Sequence, residues 1–533
     1  MTKGRFLLVV VLVLGLLSVA APFRAVGQPA APVRFSPATP LYDYHAALTL
    51  VGKAKKSSMQ YHSFGTTTWS IDPNHPWSEA FGAAEPAPQP VKFSVVPPSL
   101  FASYNTLYPH GFNDRLLWQG RGFNAWSVGG IALESRFFLA SLVPALALME
   151  NRDFVTIDSA EYRNLYQFID NPQRFGTQPI FWYSGGDSQL RLKWWRLSLG
   201  IGAQKVITGP AMRNPIMLST NAASFPHMDV GLDTWSTPFG DFEARALWGR
   251  TAESDHFDDI PSNNHNLFTL LSLAYRFPFL DSLTLGAYRS LQADWATMIP
   301  SDWLVMFIPS MNGSLTRYGE WGFDDLDQRA GITFDWRFPE VGFRFYGDWG
   351  RDDYNSDWRQ LFYLPGHTQA YTFGFQKAID GPAGGPFVLT AELSELWLTR
   401  DYYANDLARN KTHYGHGIVR QGHTHRGQVL GAGIGSGANA QYLGLRHYGT
   451  YGYSGAYLQR HARNQDVIYN TPQRFDHQRV DVEITGALEG GVFIGRHLIF
   501  GAFAYSRNLN RDYIRENDVN NFHFELGVQT TFR

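Results

Sequence analysis

Residues 329–338, Arg-Ala-Gly-Ile-Thr-Phe-Asp-Trp-Arg-Phe, alternate in chemistry along almost their whole length. Successive side chains of a β-strand point to opposite faces, so the apolar and aromatic residues fall on one face here. The charged and hydroxyl residues, including Asp335 and Arg337, fall on the other. A stretch of about ten residues with rings on one face and charges on the other is typical of a transmembrane β-barrel strand, which turns its apolar face to lipid and its polar face to a wet lumen.

The same alternation recurs along most of the chain, in pairs of stretches separated by short turns such as Pro339–Glu340. The predicted strands begin near Val91, Gly122, Arg136, Ser188, Arg196, Pro226, Gly240, His265, Ser282, Leu326, Val341, Thr368, Phe387, Asn439, Tyr451, Gln478, Arg496 and Asn520. Short turns facing the periplasm and long loops facing outward are the pattern of bacterial barrels. We predict an all-β fold, a transmembrane antiparallel β-barrel of about 18 strands with short periplasmic turns and long extracellular loops.

The chain before the barrel divides into two predicted regions. Lys3 and Arg5 precede an apolar run, and Ala25-Val26-Gly27 offers a small-x-small cleavage site. These features predict a cleaved secretory signal peptide over residues 1–27. Residues 28–90 are rich in Pro and Ala at both ends and favour a short helix near residues 42–56, which predicts a periplasmic or lumen-entering segment. The predicted barrel spans residues 91–533.

Composition excludes several classes of protein. The 533 residues include no cysteine, which excludes a disulfide framework. Charge is balanced, with 45 basic and 47 acidic residues, and no basic stripe predicts nucleic-acid binding. An exported chain with this strand pattern is expected in the bacterial outer membrane. Its expected partners are outer-membrane lipid and the barrel assembly machinery.

No motif in the sequence predicts a cofactor, a metal site or catalysis. The glycine run over residues 431–437 lacks the spacing of a nucleotide-binding loop, and a packed glycine loop is the favoured interpretation. Four histidines, His413, His416, His423 and His425, have metal-ligand chemistry but no accompanying cysteine or HExxH motif. Carboxylate pairs such as Asp352–Asp353 and Glu392–Glu395 suit glycoside cleavage only at catalytic separation. No nucleophile elbow is present.

Aromatic and polar residues are mixed densely in the long loops, a combination that suits carbohydrate binding. Rings stack on sugar C–H surfaces, while amide, carboxylate and guanidinium groups bind hydroxyls or acidic groups. The alternative is that these loops fold over the lumen as a plug. The candidate carbohydrate-binding residues are Tyr104, Tyr108, Asn113, Asp114, Trp118 and Arg121 in the first loop, Trp303 and Arg317 in a middle loop, and Arg420 and Arg426 in the last large loop.

Four segments resemble the capsule assembly Wzi family: residues 104–122, 209–227, 346–352 and 419–435. The likeness extends over about residues 91–532. It implies an outer-membrane barrel of eighteen strands with a lectin-like role, in which exported capsular polysaccharide is held at the cell surface. The region before Val91 departs from the family, because it lacks the helical plug sequence expected there.

Three functions follow from these observations. The first is a non-enzymatic outer-membrane protein that binds capsular or exopolysaccharide through its outward loops. The second is a diffusion channel, since inward charges such as Arg344, Asp348, Arg479 and Glu483 suit an open lumen. The third is a surface glycan-processing enzyme.

Overall fold

The computed structural model describes residues 39–54, 58–64, 91–157, 169–307, 326–352, 362, 365–381, 385–397, 413–466 and 477–530. These residues contain helix α1 (Pro40–Leu50) and short 3-10 turns at Pro300–Trp303, Val305–Phe307, Pro339–Val341, His477–Arg479 and Arg511–Tyr513. The strands are β1 (Tyr61–Ser63), β2 (Lys92–Asn105), β3 (Gly122–Glu134), β4 (Phe138–Leu142), β5 (Ala145–Met149), β6 (Ile180–Ser184), β7 (Gln189–Trp194), β8 (Leu197–Gly202), β9 (Val206–Thr208), β10 (His227–Thr237), β11 (Gly240–Ala252), β12 (His265–Phe277), β13 (Leu280–Asp294), β14 (Asp327–Phe338), β15 (Phe343–Asp352), β16 (Gln369–Asp380), β17 (Pro386–Glu395), β18 (Thr424–His425), β19 (Gln428–Val429), β20 (Asn439–Gly449), β21 (Gly452–Ala462), β22 (Val482–Ile494), β23 (His497–Leu509) and β24 (Val519–Thr530).

All of these strands except β1, β9, β18 and β19 form a closed antiparallel barrel in which neighbours in sequence are neighbours in space. Both β4 and β5 pair with β3, while β7 pairs with β4 and β6 pairs with β5. Strands β4 and β5 therefore form one barrel strand with an internal break, and β6 and β7 form the next. Counted in this way, the barrel has eighteen strands. It closes where β24 pairs with β2. The predicted fold class and strand number are confirmed.

Two predicted strand starts were wrong. The fourth barrel strand begins at Ile180 rather than near Ser188, because its first half, β6, precedes a break that contains Gly185 and Gly186. Strand β22 begins at Val482 rather than near Gln478, because residues 477–479 form a 3-10 turn. The inward-facing strand position assigned to Arg479 was therefore wrong as well, while Glu483 is buried on the inner face.

The two faces of the wall differ as the alternation predicted. On β14, Ile332 and Trp336 are 59% and 38% exposed on the outer face, whereas Arg329 and Asp335 are buried on the inner face. Exposed Leu, Ile, Val and Phe side chains recur on the outer face of the other strands. Lipid covers such a band in an outer-membrane barrel.

Ion pairs fill part of the inner face. Asp229 on β10 pairs with Arg191 on β7 and with Arg245 on β11, and all three are buried. A side chain at Gly200 on the intervening strand β8 would overlap this cluster, since its Cβ would lie 2.5 Å from the Arg191 guanidinium and 2.7 Å from the Asp229 carboxylate. A glycine at this position therefore lets charges from non-adjacent strands meet.

Helix α1 lies inside the barrel wall at the end with the short connections. Thr39 caps its first turn, since the Thr39 hydroxyl accepts the Tyr42 backbone N–H at 3.3 Å. Leu41, Tyr44 and Leu48 of α1 pack in one core with wall residues that include Val388 and Leu498. The helix overlaps the one predicted near residues 42–56. Among the described residues, no helix is both long and apolar enough to cross a membrane.

A charged residue on the outer face should destabilise the barrel by an amount that depends on its depth in the bilayer. Ile332→Arg places a cation against acyl chains, which costs about 2–4 kcal/mol near the bilayer midplane. We expect a lower urea midpoint for unfolding from lipid vesicles. The matched control is Val341→Arg in the turn between β14 and β15, where the cost falls to about 0–1 kcal/mol. Equal destabilisation by both variants would contradict the assigned facing.

The inner ion-pair cluster predicts a larger effect. Asp229→Ala leaves two buried guanidinium groups without their shared carboxylate, and breaking a buried pair typically costs about 3–5 kcal/mol. The free energy of unfolding in lipid vesicles should fall accordingly. Asp518→Ala, which breaks the exposed pair with Arg507, is the control and should change stability little. A small effect of Asp229→Ala would show that the cluster does not stabilise the barrel.

Candidate functional site in the lumen and outward loops

The connection between β8 and β10 folds into the lumen and is held there by carboxylates of the barrel wall. The backbone N–H groups of Met212, Arg213 and Asn214 donate to the Glu392 carboxylate at 2.9–3.2 Å. The Ile216 N–H donates to Asp348 at 2.9 Å. Charge-assisted bonds of this kind are stronger than neutral ones. We call residues 203–226 the inner segment.

The N-terminal region binds to the inner segment in the same way. The N–H groups of Met59, Gln60 and Tyr61 donate to the Glu243 carboxylate at 2.7–2.9 Å. Strand β1 pairs with β9, which is part of the inner segment. Two chain segments far apart in sequence therefore form a small sheet inside the barrel.

Residues 413–438 cover the inner segment on its other side. The Tyr414 hydroxyl donates to the Ile216 carbonyl at 2.7 Å, and the Ser219 N–H donates to the Leu430 carbonyl at 2.8 Å. A Cβ at Gly431 would lie 2.2 Å from the Ile216 carbonyl oxygen, so these two segments can approach this closely only with glycine at position 431. This contact explains part of the glycine run: it is a packed loop. Ile216, Tyr414, Ala432 and Ile434 share one buried core within the lumen.

The four clustered histidines form hydrogen bonds or packing contacts within these loops. His416 accepts the Val419 N–H at 2.9 Å, His423 donates to the Met217 carbonyl at 2.6 Å, and His425 accepts the Ala252 N–H at 3.0 Å. The His413 ring packs edge-on to Tyr414. Burial lowers the pKa of His425 to about 3 and that of His423 well below its usual value. No three His, Cys, Asp or Glu side chains in the described ranges are arranged to hold a metal ion.

Three of the predicted carbohydrate-binding residues point into the protein. Tyr108 is buried, with the Arg511 guanidinium 4.2 Å from its ring centroid. Asn113 donates to the Arg213 carbonyl at 2.8 Å and so holds the inner segment. Asp114 lines an internal cavity, where burial and then the nearby charge of Glu525 raise its pKa to about 8.

Three others lie near the rim at the end with the long connections. Tyr104 is partly exposed, and the Arg152 guanidinium lies 5.8 Å from its ring centroid. Trp118 is partly exposed and packs against Phe175, with ring centroids 5.1 Å apart. Arg121 donates to the Thr106 carbonyl at 3.0 Å.

The remaining residues come from later loops. Trp303 packs against Trp295, and its carbonyl accepts the Trp248 indole N–H at 2.7 Å. Arg420 lies 3.5 Å from Asp258 and covers the Phe257 ring, while Arg426 donates to the Tyr183 carbonyl at 2.9 Å. Arg317 lies outside the described residues.

The loops bring together rings that the sequence did not connect. Trp118, Phe154, Phe175, Trp182 and His256 form a continuous series of ring contacts, with centroid distances from 4.9 to 6.4 Å. We call these five residues the aromatic loop cluster. Asn151 stabilises it by donating to the carbonyls of Phe175, Gly176 and Gln178. Sequence reasoning found Trp118 but missed its partners, although the density of rings around residues 154–182 was a usable signal.

Comparison with known proteins agrees with this fold. No family model matches the chain, and no curated protein is similar to it in sequence. Among solved structures it is similar to Wzi, described as an outer-membrane protein of group 1 capsule assembly in Escherichia coli and a carbohydrate-binding β-barrel. The TM-score is 0.56 at 13% identity, over 82% of this chain and 85% of that one.

Weaker likenesses link the chain to porins. OprB of Pseudomonas putida has a TM-score of 0.38 at 10% identity, over 83% of this chain and 94% of that one. A BenF-like porin of Pseudomonas fluorescens has 0.39 at 8% identity, over 83% and 99%. The structural likeness to Wzi confirms that resemblance at the level of the fold: the chain is an eighteen-strand barrel of the outer-membrane type.

Proposed function

We propose that this protein is a non-enzymatic outer-membrane protein that binds capsular or exopolysaccharide at the cell surface through its outward loops. The observation that carries the proposal is the filled lumen. Glu243, Asp348 and Glu392 hold the protein's own backbone across the space that a channel keeps open. The fold of Wzi, itself described as a carbohydrate-binding barrel, supports the same function.

The chemistry of the outward loops suits a polysaccharide. Apart from the buried Phe175, the rings of the aromatic loop cluster are at least partly exposed and suit sugar C–H faces. Arg121, on the loop of Trp118, and Arg426, which binds the Tyr183 carbonyl next to Trp182, are hydrogen-bond donors nearby. Each contact is weak alone. A polymer repeats its units, so several engaged sites on one chain, or on neighbouring proteins, raise the overall affinity without any new contact.

Export and anchoring complete the proposal. Residues 1–27 direct secretion and are removed, and the barrel assembly machinery inserts residues 91–533 among outer-membrane lipids. Residues 28–90 form a periplasmic or lumen-entering segment, which the position of α1 inside the wall supports.

Two of the carboxylates in the pairs that suit glycoside cleavage, Glu392 and Asp352, bind other groups of the protein. Glu392 accepts three backbone N–H groups and the Tyr346 hydroxyl. Asp352 pairs with Arg329 and accepts the Tyr414 N–H. Asp353 lies outside the described residues. These contacts favour a structural role for Glu392 and Asp352 over glycoside cleavage.

Polysaccharide binding is tested with purified mature protein immobilised in detergent and polysaccharide from the producing strain. Trp118→Ala should weaken binding by roughly 2–10-fold, the equivalent of one lost stacking contact of about 0.5–1.5 kcal/mol. The control is Trp195→Ala, since Trp195 lies in a short turn at the opposite end of the barrel. Absence of binding by the wild type, or unchanged cell-associated polysaccharide after gene deletion, would contradict the proposal. Shortening of the polymer on incubation would indicate an enzyme instead.

Planar-bilayer recordings separate a binder from a channel. The wild type should show no large steady current, because its lumen is occupied. Glu392→Ala removes the acceptor for the backbone of residues 212–214 and should produce frequent openings. The control is Glu395→Ala on the same strand, which has the opposite facing and binds Trp397 and Asn439 rather than the inner segment. Large steady currents through the wild type would support the diffusion channel.

A further inference from the structure

An internal chamber separates α1 from the inner segment. Its volume is about 300 Å³, and its walls come from α1, residues 207–213, the loop that carries Asp114, and the inner faces of strands that include β16, β20 and β24. A volume of this size is at the lower end of the range for sites that bind small molecules. The aromatic loop cluster contributes no residue to this chamber, so the two are distinct sites.

Most charged groups around the chamber already have protein partners. Arg446 pairs with Asp43 of α1 at 2.9 Å and with Glu489 at 2.8 Å. Arg337 and Arg344 share Asp335. Glu525 is bonded to His523 at 2.9 Å. These groups build the wall and leave little net charge of their own.

Arg213 is the exception. Its backbone is anchored by Glu392, and within the described ranges its guanidinium forms no hydrogen bond or close ion pair, although the charges of Glu489 and Glu392 act on it at longer range. The guanidinium instead lies over two rings, 4.8 Å from the centroid of Tyr442 and 5.7 Å from that of Tyr457. It lines the chamber together with these rings. Glu489 and Glu392 therefore offset part of its charge, but buried N–H donors are costly unless an acceptor within hydrogen-bond distance is supplied.

The two tyrosines extend the same surface. Their rings lie 5.4 Å apart, and within the described ranges neither hydroxyl bonds to a protein group. Three donor groups and two aromatic faces therefore converge on one space. Across it, Glu525 offers an acceptor for hydroxyl groups.

We propose that this chamber binds a sugar acid, a saccharide unit whose carboxylate pairs with Arg213 and whose hydroxyls bind Tyr442, Tyr457 and Glu525. The guanidinium fork matches a carboxylate with two parallel hydrogen bonds. The tyrosine rings suit the C–H face of a pyranose. Asp114 does not oppose the anion, because burial and the charge of Glu525 raise its pKa to about 8 and keep it largely protonated at neutral pH.

The test uses the full-length mature protein in detergent, titrated with D-galacturonate and with D-galactose, two sugars that differ by the carboxylate. Galacturonate should bind one to one and roughly tenfold or more tighter than galactose, as one charge-assisted pair predicts. Arg213→Gln should weaken galacturonate binding by roughly tenfold or more. Arg507→Gln, an exposed arginine paired with Asp518, is the matched control and should bind as the wild type does.

A second variant keeps the test decisive if Arg213→Gln does not fold. Tyr457→Phe keeps the ring and removes one hydroxyl, and it should weaken galacturonate binding a few-fold while the heat-dependent gel shift of the barrel stays unchanged. No galacturonate binding by the wild type, equal binding by Arg213→Gln in its folded form, or equal affinity for galactose would overturn the proposal. Displacement of galacturonate by inorganic phosphate at equal concentration would show a plain anion site and overturn the assignment to a saccharide.

Discussion

Backbone groups enclosed by a barrel need hydrogen-bond partners, and this requirement organises the interior of the protein. Glu243, Asp348 and Glu392 meet it by accepting N–H groups from segments that cross the lumen. The dependence is mutual. The segments need the carboxylates because a buried N–H without a partner is costly, and the carboxylates need the segments because a buried charge without a partner is costlier still.

The wall of the barrel was predictable from sequence because its pattern is local. Successive side chains of a strand alternate between the two faces of the wall, and the lipid requires apolar residues on the outer face of every strand. Ile332 and Asp335 can therefore be assigned to opposite faces without knowledge of the neighbouring strands. The errors occurred where local signals were ambiguous. The glycines before Ser188 interrupt one barrel strand, so the predicted start near Ser188 missed its first half, β6.

The contents of the lumen were not predictable in the same way. Glu392 binds Met212 across 180 positions in sequence, and Glu243 binds Met59 across 184. No periodicity connects residues at such distances. For the same reason the sequence does not show that Tyr108 is buried beside Arg511 or that Asn113 holds the inner segment. Aromatic and amide side chains suit both roles, and only the fold separates them.

The filled lumen also disfavours an open channel on energetic grounds. To open a water-filled path, the barrel must release Glu392 from three backbone N–H groups and replace these bonds with bonds to water. A hydrogen bond to a charged group stabilises a protein by about 1.5–3 kcal/mol after exchange with water, so the loss of even one of these bonds lowers the open population by roughly ten- to a hundredfold. Asp348 and Glu243 add further costs of the same kind. Spontaneous opening is therefore rare, because the segments that cross the lumen are held at all three carboxylates.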